Sequence, residues 1–292
     1  MSYDLYFNAR NSDSKIGVND FAAYFRQRQN FEVSDQQAVY QNKITGVYFV
    51  FDLADAKSEE QPNLVPVSFN LNYYRPHIFG LEAEIEVDSF VKNFDLPVSD
   101  PQMDGMGEGE YSTEKFLSGW NKGNEFGYRA ILQQNPGTNP STLSTAQIEN
   151  CWRWNLMQPR LQQQLGESVF VPRFMFLLRE GKVLTTIVWP DGIPSAVPVA
   201  EVVIIPRKAV LPKKFFRSTE DQVVASWNEV APIIEQFPLE QGPLPYHLMK
   251  YAEIPAKVLA QLRSLAPTNE KPTGISVDKI LNAEIVAKSK IK

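Results

Sequence analysis

The sequence predicts an α+β protein, and three observations support this fold class. Two runs, residues 46–53 and 64–74, alternate between apolar and polar side chains as β-strands do. Apolar residues at helical spacing occupy residues 18–31 and 81–94. Strand patterns and helix patterns then continue in mixed order. We therefore expect a mostly antiparallel sheet with helices on one face, followed by a second, smaller α+β domain.

The two alternating runs predict neighbouring, half-buried strands at the centre of the sheet. Successive side chains leave a strand on opposite faces, so each run has one buried face. The link between them, residues 54–63, is polar and contains Pro62, which indicates a solvent loop between antiparallel strands. Pro66 lacks an N–H and predicts a free edge near the start of the second strand. The predicted buried face consists of Val47, Phe49, Phe51, Leu53, Val65, Val67, Phe69 and Leu71.

Around this pair, the N-terminal part follows the order β-α-β-β-β-α-β. Further strands are predicted at residues 3–7, 38–41 and 97–100. The first helix, 18–31, has Asn19 as its predicted N-cap, and the second, 81–94, has acidic residues in its first turns. The order is that of a split βαβ unit with an extra strand. A third helix is predicted at 113–132, although three glycines weaken it.

Residues 135–144, which contain two prolines and a glycine, predict a boundary between domains 1–134 and 145–292. In the second domain, the turn Arg179-Glu180-Gly181 predicts a hairpin between strands 169–178 and 182–189. A third strand is predicted at 199–205. Helices are predicted from Ser144 to about Pro159, from Ser218 through Trp227, at 254–265 and at 276–291.

Composition and charge restrict the function. Of the 292 residues, 43% are hydrophobic and 22% are charged, so a globular core is expected. A single cysteine and the absence of a recognisable signal peptide or membrane span predict a cytoplasmic protein. The net charge is −5, with 19 acidic and 9 basic side chains in residues 1–115. This balance argues against nucleic-acid binding, which depends on neutralising phosphates.

Carboxylates are the most abundant candidate binding groups. Residues 100–111 are rich in glycine and acid and predict an exposed loop beside the second helix. Their spacing does not fit a calcium loop, and no metal or cofactor is predicted. We expect the loop and the helix to form one acidic surface for a cationic protein, with the basic segment 207–217 as the alternative interface. The predicted surface consists of Glu82, Glu84, Glu86, Asp104, Glu108 and Glu110.

Arg75 and His77 follow the predicted central strand and form the one candidate catalytic pair. At a strand end they could bind an anion or share proton transfer. The structural alternative, which is favoured, is that Arg75 pairs with a local carboxylate and His77 caps the turn. The sequence contains no P-loop, Rossmann fingerprint, nucleophile elbow or zinc-protease motif. Cys151 lies among Trp152, Arg153 and Trp154, which is typical of a buried thiol.

Three short segments carry a family resemblance. Residues 2–7 are SYDLYF, residues 46–49 are GVYF and residues 100–102 are DPQ. Here the chain resembles bacterial cytosolic proteins that open with SYDLYF, some of which look like immunity proteins encoded beside secreted antibacterial toxins of contact-dependent or type VI systems. The resemblance covers about the first 110 residues and rests on structural motifs. It implies a protein that occludes a toxin domain, and it assigns no contact residue.

Two functions from different classes therefore follow from the sequence. The first is a non-enzymatic cytosolic protein that binds and neutralises a protein partner, a cognate toxin by the resemblance. The second is a hydrolase or transferase with its site around Arg75 and His77. The first is favoured because it accounts for the uneven charge and needs no catalytic constellation.

Overall fold

The computed structural model describes residues 1–10, 16–53, 64–102, 104–208, 210, 222–266, 268 and 273–290. Helices and mostly antiparallel sheets are mixed throughout, so the α+β prediction is confirmed. The chain forms two compact units, one of residues 1–145 and 277–292 and the other of residues 146–276. The predicted link 54–63 and the predicted helix start at Ser218 lie outside the described residues.

The first part of the chain supplies eight strands and three helices to the described structure. In order they are β1 (Ser2–Asn8), α1 (Val18–Arg26), β2 (Phe31–Val33), β3 (Gln37–Gln41), β4 (Tyr48–Leu53), β5 (Leu64–Asn72), α2 (Ile78–Phe94), β6 (Val98–Asp100), β7 (Gly107–Gly109), α3 (Thr113–Gln134) and β8 (Thr142–Leu143).

The remaining elements begin with a long helix whose first residue, Thr145, is still part of the first unit. In order they are α4 (Thr145–Leu165), β9 (Met175–Arg179), β10 (Lys182–Val188), β11 (Ala196–Pro198), β12 (Val202–Pro206), β13 (Gln222–Ser226), α5 (Trp227–Ile234), β14 (Leu239–Glu240), β15 (Tyr246–Leu248), α6 (Ala256–Ser264), β16 (Thr273–Gly274), β17 (Leu281–Asn282) and α7 (Ala283–Lys290).

The first unit is built on a seven-stranded sheet with the order β2-β3-β4-β5-β1-β6-β7, antiparallel throughout. The predicted pair β4 and β5 lies at its centre, in the register Phe51↔Phe69. Their alternate apolar side chains are buried as predicted. Pro66 lies where the β1–β5 register shifts and beyond the last described pair with β4, so its missing N–H interrupts no ladder bond.

Aromatic rings join this sheet to α1 and α2. Phe51 of β4 lies 4.9 Å from Phe25 of α1 and 5.2 Å from Phe90 of α2, measured between ring centroids. Phe69 of β5 is 5.2 Å from the same Phe51 ring. All four rings are fully buried. The two helices therefore cover the face of the sheet that the alternation in the sequence identifies.

Several boundaries in the first unit differ from the sequence-based prediction. Helix α1 ends at Arg26 and is capped by Gly17 rather than Asn19, and Phe31 belongs to the unpredicted strand β2. Asn30, with φ at 66°, makes the turn between them. Helix α2 starts at Ile78, and its first turn contains no acidic residue. Strand β7 was also unpredicted, since the spacing of its glycines indicates a loop.

In the second unit the predicted hairpin is confirmed, with Lys182↔Arg179 closing the turn. Glu180 and Gly181 both have positive φ, which suits a tight two-residue hairpin turn. Helix α4 continues past Pro159 to Leu165, although the proline was expected to end it. Residues 223 and 224 form part of strand β13 instead of a helix, because they pair with β12.

The C-terminal segment belongs to the first unit, whereas the sequence-based boundary assigns it to the second domain. Strand β17 pairs in parallel with β8, which lies inside the predicted linker 135–144. Tyr128 and Leu132 of α3 form one buried cluster with Leu281 and Val286. A parallel pairing between segments this distant in the chain leaves no local signal in the sequence.

We expect truncation in the central strand to destabilise the protein strongly. Phe69→Ala should lower the free energy of unfolding by about 3–5 kcal/mol and Leu71→Ala by about 2–5 kcal/mol, because both leave cavities in a packed core. Ser68→Ala, on the opposite face of the same strand, should change it by less than about 1 kcal/mol. Denaturant unfolding of the three variants measures this, and equal midpoints for all of them would contradict the assigned face.

Candidate functional site

Glu82, predicted on the acidic surface, is buried, with 1% of its surface exposed. Its Oε1 accepts hydrogen bonds from the Tyr40 hydroxyl at 2.7 Å, the Asn42 amide at 2.8 Å and the Thr45 hydroxyl at 2.9 Å. Burial, together with the charge of Glu82, raises the pKa of Tyr40. The prediction is wrong for this residue, because three hydrogen-bond donors compensate the cost of burying the carboxylate. Ile85, one of the apolar residues of the predicted helix 81–94, is exposed.

Glu84 and Glu86 are half-buried and hold other elements in place. Glu84 accepts a hydrogen bond from the Thr113 hydroxyl at 2.6 Å and a longer one from Tyr111. Glu86 forms an ion pair with Arg28 at 2.6 Å. These contacts fasten α2 to the start of α3 and to the residues after α1. Neither carboxylate is well placed to meet a partner.

Four exposed carboxylates lie at one edge of the sheet, and we call them the acidic edge: Asp95, Asp104, Glu108 and Glu110. Glu108 is the middle residue of β7, the last strand in the sheet order. Arg10 bridges Asp95 at 2.9 Å and Glu110 at 2.7 Å. Its hydrogen bonds lower the pKa of Glu110. Lys122 lies 3.5 Å from Asp104. The structure thus brings together three of the six predicted residues and adds Asp95.

Asp100 organises the loop that carries the acidic edge. This buried carboxylate accepts hydrogen bonds from the Tyr3 hydroxyl at 2.6 Å and from the backbone N–H of Met106 at 2.8 Å. A Cβ on Gly105 would come within 2.3 Å of its oxygens, so only glycine fits this approach. Burial and the nearby Asp100 charge raise the pKa of Tyr3. The loop between β6 and β7 is therefore organised by hydrogen bonds to the buried side chain of Asp100.

Arg75, predicted as part of an alternative site, contacts neutral groups. Its Nε donates to the Tyr48 hydroxyl at 3.1 Å, and its guanidinium lies 5.8 Å from the centre of the same ring. The Arg75 carbonyl accepts hydrogen bonds from Asn124 at 2.8 Å and from the Tyr128 hydroxyl at 3.0 Å. These bonds tie the turn after β5 to α3.

His77 lies at the N-cap position of α2 and makes no side-chain capping bond. Its Nδ1 is 2.7 Å from the Asn282 amide nitrogen, and its backbone N–H donates to Asn282 Oδ1 at 2.9 Å. The Nε2 atom is buried. Nδ1 is thus in hydrogen-bond contact with Asn282, and Nε2 is shielded from water. This arrangement favours a structural role for His77 in positioning β17 over proton transfer to a substrate.

A cleft of about 330 Å³ lies in the second unit. Trp227 at the start of α5, Val199 and Leu244 form apolar walls, and Glu201 supplies a carboxylate. The buried thiol of Cys151 also lines the cleft, and burial with the Glu201 charge raises its pKa to about 12. The sequence does not reveal this site, because the residues that line it come from six separate segments of the chain. Cys151 is confirmed as buried.

The basic segment 207–217 is only partly described. Arg207 is buried and donates to the carbonyls of Leu262 at 2.9 Å and Leu265 at 2.6 Å, so it holds the end of α6 and does not face a partner. Residues 211–217 lie outside the described part of the chain. Within that part, His, Cys, Asp and Glu side chains nowhere gather in threes suited to a metal ion.

Comparisons with protein families, curated proteins and solved structures each find no match to this chain. Its class is therefore defined by its own geometry: an α+β protein with an acidic sheet edge in one unit and an apolar cleft in the other. Of the helices in the described ranges, none combines the length and the apolar character needed to cross a bilayer.

Glu82 and Glu108 allow a direct test of which carboxylates are structural. Glu82→Gln should lower the free energy of unfolding by about 1.5–3 kcal/mol, because three buried donors lose a charged acceptor. Glu108→Gln, at an exposed site, should stay within about 0.5 kcal/mol of the parent. Chemical denaturation of both variants measures the difference, and equal stability would show that Glu82 is not a buried acceptor.

Proposed function

We propose that this chain is a non-enzymatic cytoplasmic protein that binds and neutralises a cationic protein partner, the cognate toxin of a secreted antibacterial system. The acidic edge is the observation that supports this proposal. The first unit carries 22 acidic and 15 basic side chains, whereas the second carries 12 and 14. With Arg10 and Lys122 counted against its four carboxylates, the acidic edge keeps a net charge of −2. A surface with net negative charge attracts a cationic partner and accelerates the encounter.

Hydrogen bonds, strand pairing and ion pairs position the acidic edge, which suits recognition. The bonds of Asp100 fix the loop that carries Asp104, and β7 is paired with β6 through Ser99↔Glu108. Arg10 fixes Glu110 and Asp95. Preorganised side chains lose little conformational entropy when a partner binds, so more of the contact energy contributes to affinity.

Tyr6 supplies an aromatic anchor beside these charges. It is 39% exposed and pairs directly with Ser99, which in turn pairs with Glu108. Directly paired residues place their side chains on the same face of a sheet. Tyr6 and Glu108 therefore share the face opposite the aromatic core, at about 10 Å, or two strand spacings, from each other. Exposed tyrosines of this kind often dominate binding energy.

Neutralisation is tested in cells with the polypeptide encoded by the gene adjacent to that of this chain. Expression of that polypeptide alone should reduce colony counts, and co-expression of the full chain should restore them. The double variant Tyr6→Ala, Glu108→Gln should restore fewer colonies at equal protein level. If the intact chain gives no protection, the proposed neutralising function is wrong.

Binding kinetics separate the roles of the charges and the aromatic anchor. Glu108→Gln with Glu110→Gln should slow association with the adjacent gene product while dissociation changes little, and added salt should slow the parent more than the variant. Tyr6→Ala should instead accelerate dissociation. Glu32→Gln is the matched control, because Glu32 is exposed on β2 at the opposite edge of the sheet. Association that is insensitive to salt and to both substitutions would exclude the acidic edge as the interface.

A further inference from the structure

We propose that the cleft of the second unit receives an arginine side chain of the protein partner. The proposal rests on the proposed binding function and adds a second contact to it. The cleft offers the groups that a guanidinium requires: a carboxylate from Glu201, an indole ring from Trp227, and apolar walls from Val199 and Leu244. Its volume, about 330 Å³, is at the small end of ligand pockets, as expected for a side chain rather than a large cofactor.

Glu201 is fixed before any ligand arrives. Its Oε2 accepts hydrogen bonds from the Thr185 backbone N–H at 2.8 Å and the Thr185 hydroxyl at 3.1 Å. The Glu201 backbone N–H donates in return to the same hydroxyl at 3.1 Å. These bonds occupy one carboxylate oxygen and leave Oε1 as an acceptor. Across the described ranges no lysine or arginine forms an ion pair with Glu201, although the side chain is exposed.

Trp227 is fixed by two hydrogen bonds and by its position at a capped helix start. Its backbone N–H donates to the Glu201 carbonyl at 3.1 Å, which holds the backbones of the two residues side by side. Its indole N–H donates to Glu235 at 3.2 Å. Ser226 and Glu229 form the capping box at this end of α5. The half-buried ring can therefore meet a ligand without rearrangement.

Arginine fits these walls better than lysine does. A guanidinium is planar and weakly hydrated, and it stacks on an indole while it donates to a carboxylate. An ammonium keeps its hydration more strongly and gains less from an apolar cleft. The stem of arginine also packs against apolar side chains, which Val199 and Leu244 provide. A cationic toxin surface would supply such a residue.

The cleft is tested first without the partner, by titrating the full chain with N-acetyl-arginine amide. The readout is the indole ¹⁵N–H signal of Trp227, one of five tryptophans, assigned by its loss in Trp227→Phe. The signal should shift with the arginine derivative, less with the lysine derivative, and not with the neutral isostere N-acetyl-citrulline amide. Glu201→Gln should weaken binding by about tenfold or more, because a charge-assisted hydrogen bond is lost. Glu167→Gln, an exposed carboxylate after α4, is the matched control.

An unshifted signal, an equal response to citrulline, or stronger binding of the lysine derivative would overturn the assignment of the cleft. None of these outcomes affects protection of cells by the intact chain, so failure of the site is distinct from failure of the proposed function. With the adjacent gene product, Glu201→Gln should accelerate dissociation by about tenfold while Glu167→Gln leaves it unchanged. Equal dissociation from both variants would overturn the role of the cleft in partner binding.

Discussion

Contact between aromatic rings in one layer holds the first unit together. Phe51 touches rings from the neighbouring strand, from α1 and from α2, with centroid distances of 4.9 to 5.2 Å. Each such pair is worth about 0.5–1.5 kcal/mol beyond the area it buries. Because the sheet and the helices α1 and α2 meet at the Phe51 ring, the position of this ring fixes the distance between the sheet and the helices. The acidic edge and the turn at Arg75 depend on the sheet that this layer stabilises.

Carboxylates in this protein occupy two different environments, one buried and one exposed to solvent. Glu82 and Asp100 are internal acceptors whose donors hold loops in place, whereas Glu108 and Asp104 face solvent. Net charge alone cannot distinguish these groups, because both contribute the same formal charge. The distinction depends on whether the fold supplies enough donors to replace water. For Glu82 these donors come from Tyr40, Asn42 and Thr45, about forty residues earlier in the chain.

The parts of the fold that the sequence predicts are those encoded locally. Alternation in β4 and β5 identifies their buried face, and the turn at Glu180 identifies the hairpin. Strands β2 and β7 lack such a local signal, because Phe31 continues the helical spacing of α1 and β7 has glycines at both of its ends. For the candidate site, the sequence locates the exposed loop. It does not identify Tyr6, because the position of Tyr6 relative to Glu108 depends on the order of the strands in the sheet. The cleft around Glu201 is also invisible, since it is assembled from distant segments.

The return of the C-terminal segment to the first unit has a consequence for biosynthesis. Residues 146–276 are inserted between two portions of one folding unit, and β17 and α7 complete it after that insertion. During translation the seven-stranded sheet therefore emerges long before the segment that covers Tyr128 and Leu132. The second unit can fold while the first still lacks its last elements, since domains generally fold as they leave the ribosome. The pairing of β17 with β8 joins chain segments more than 130 residues apart. The entropic cost of closing this loop falls when the inserted unit is already compact.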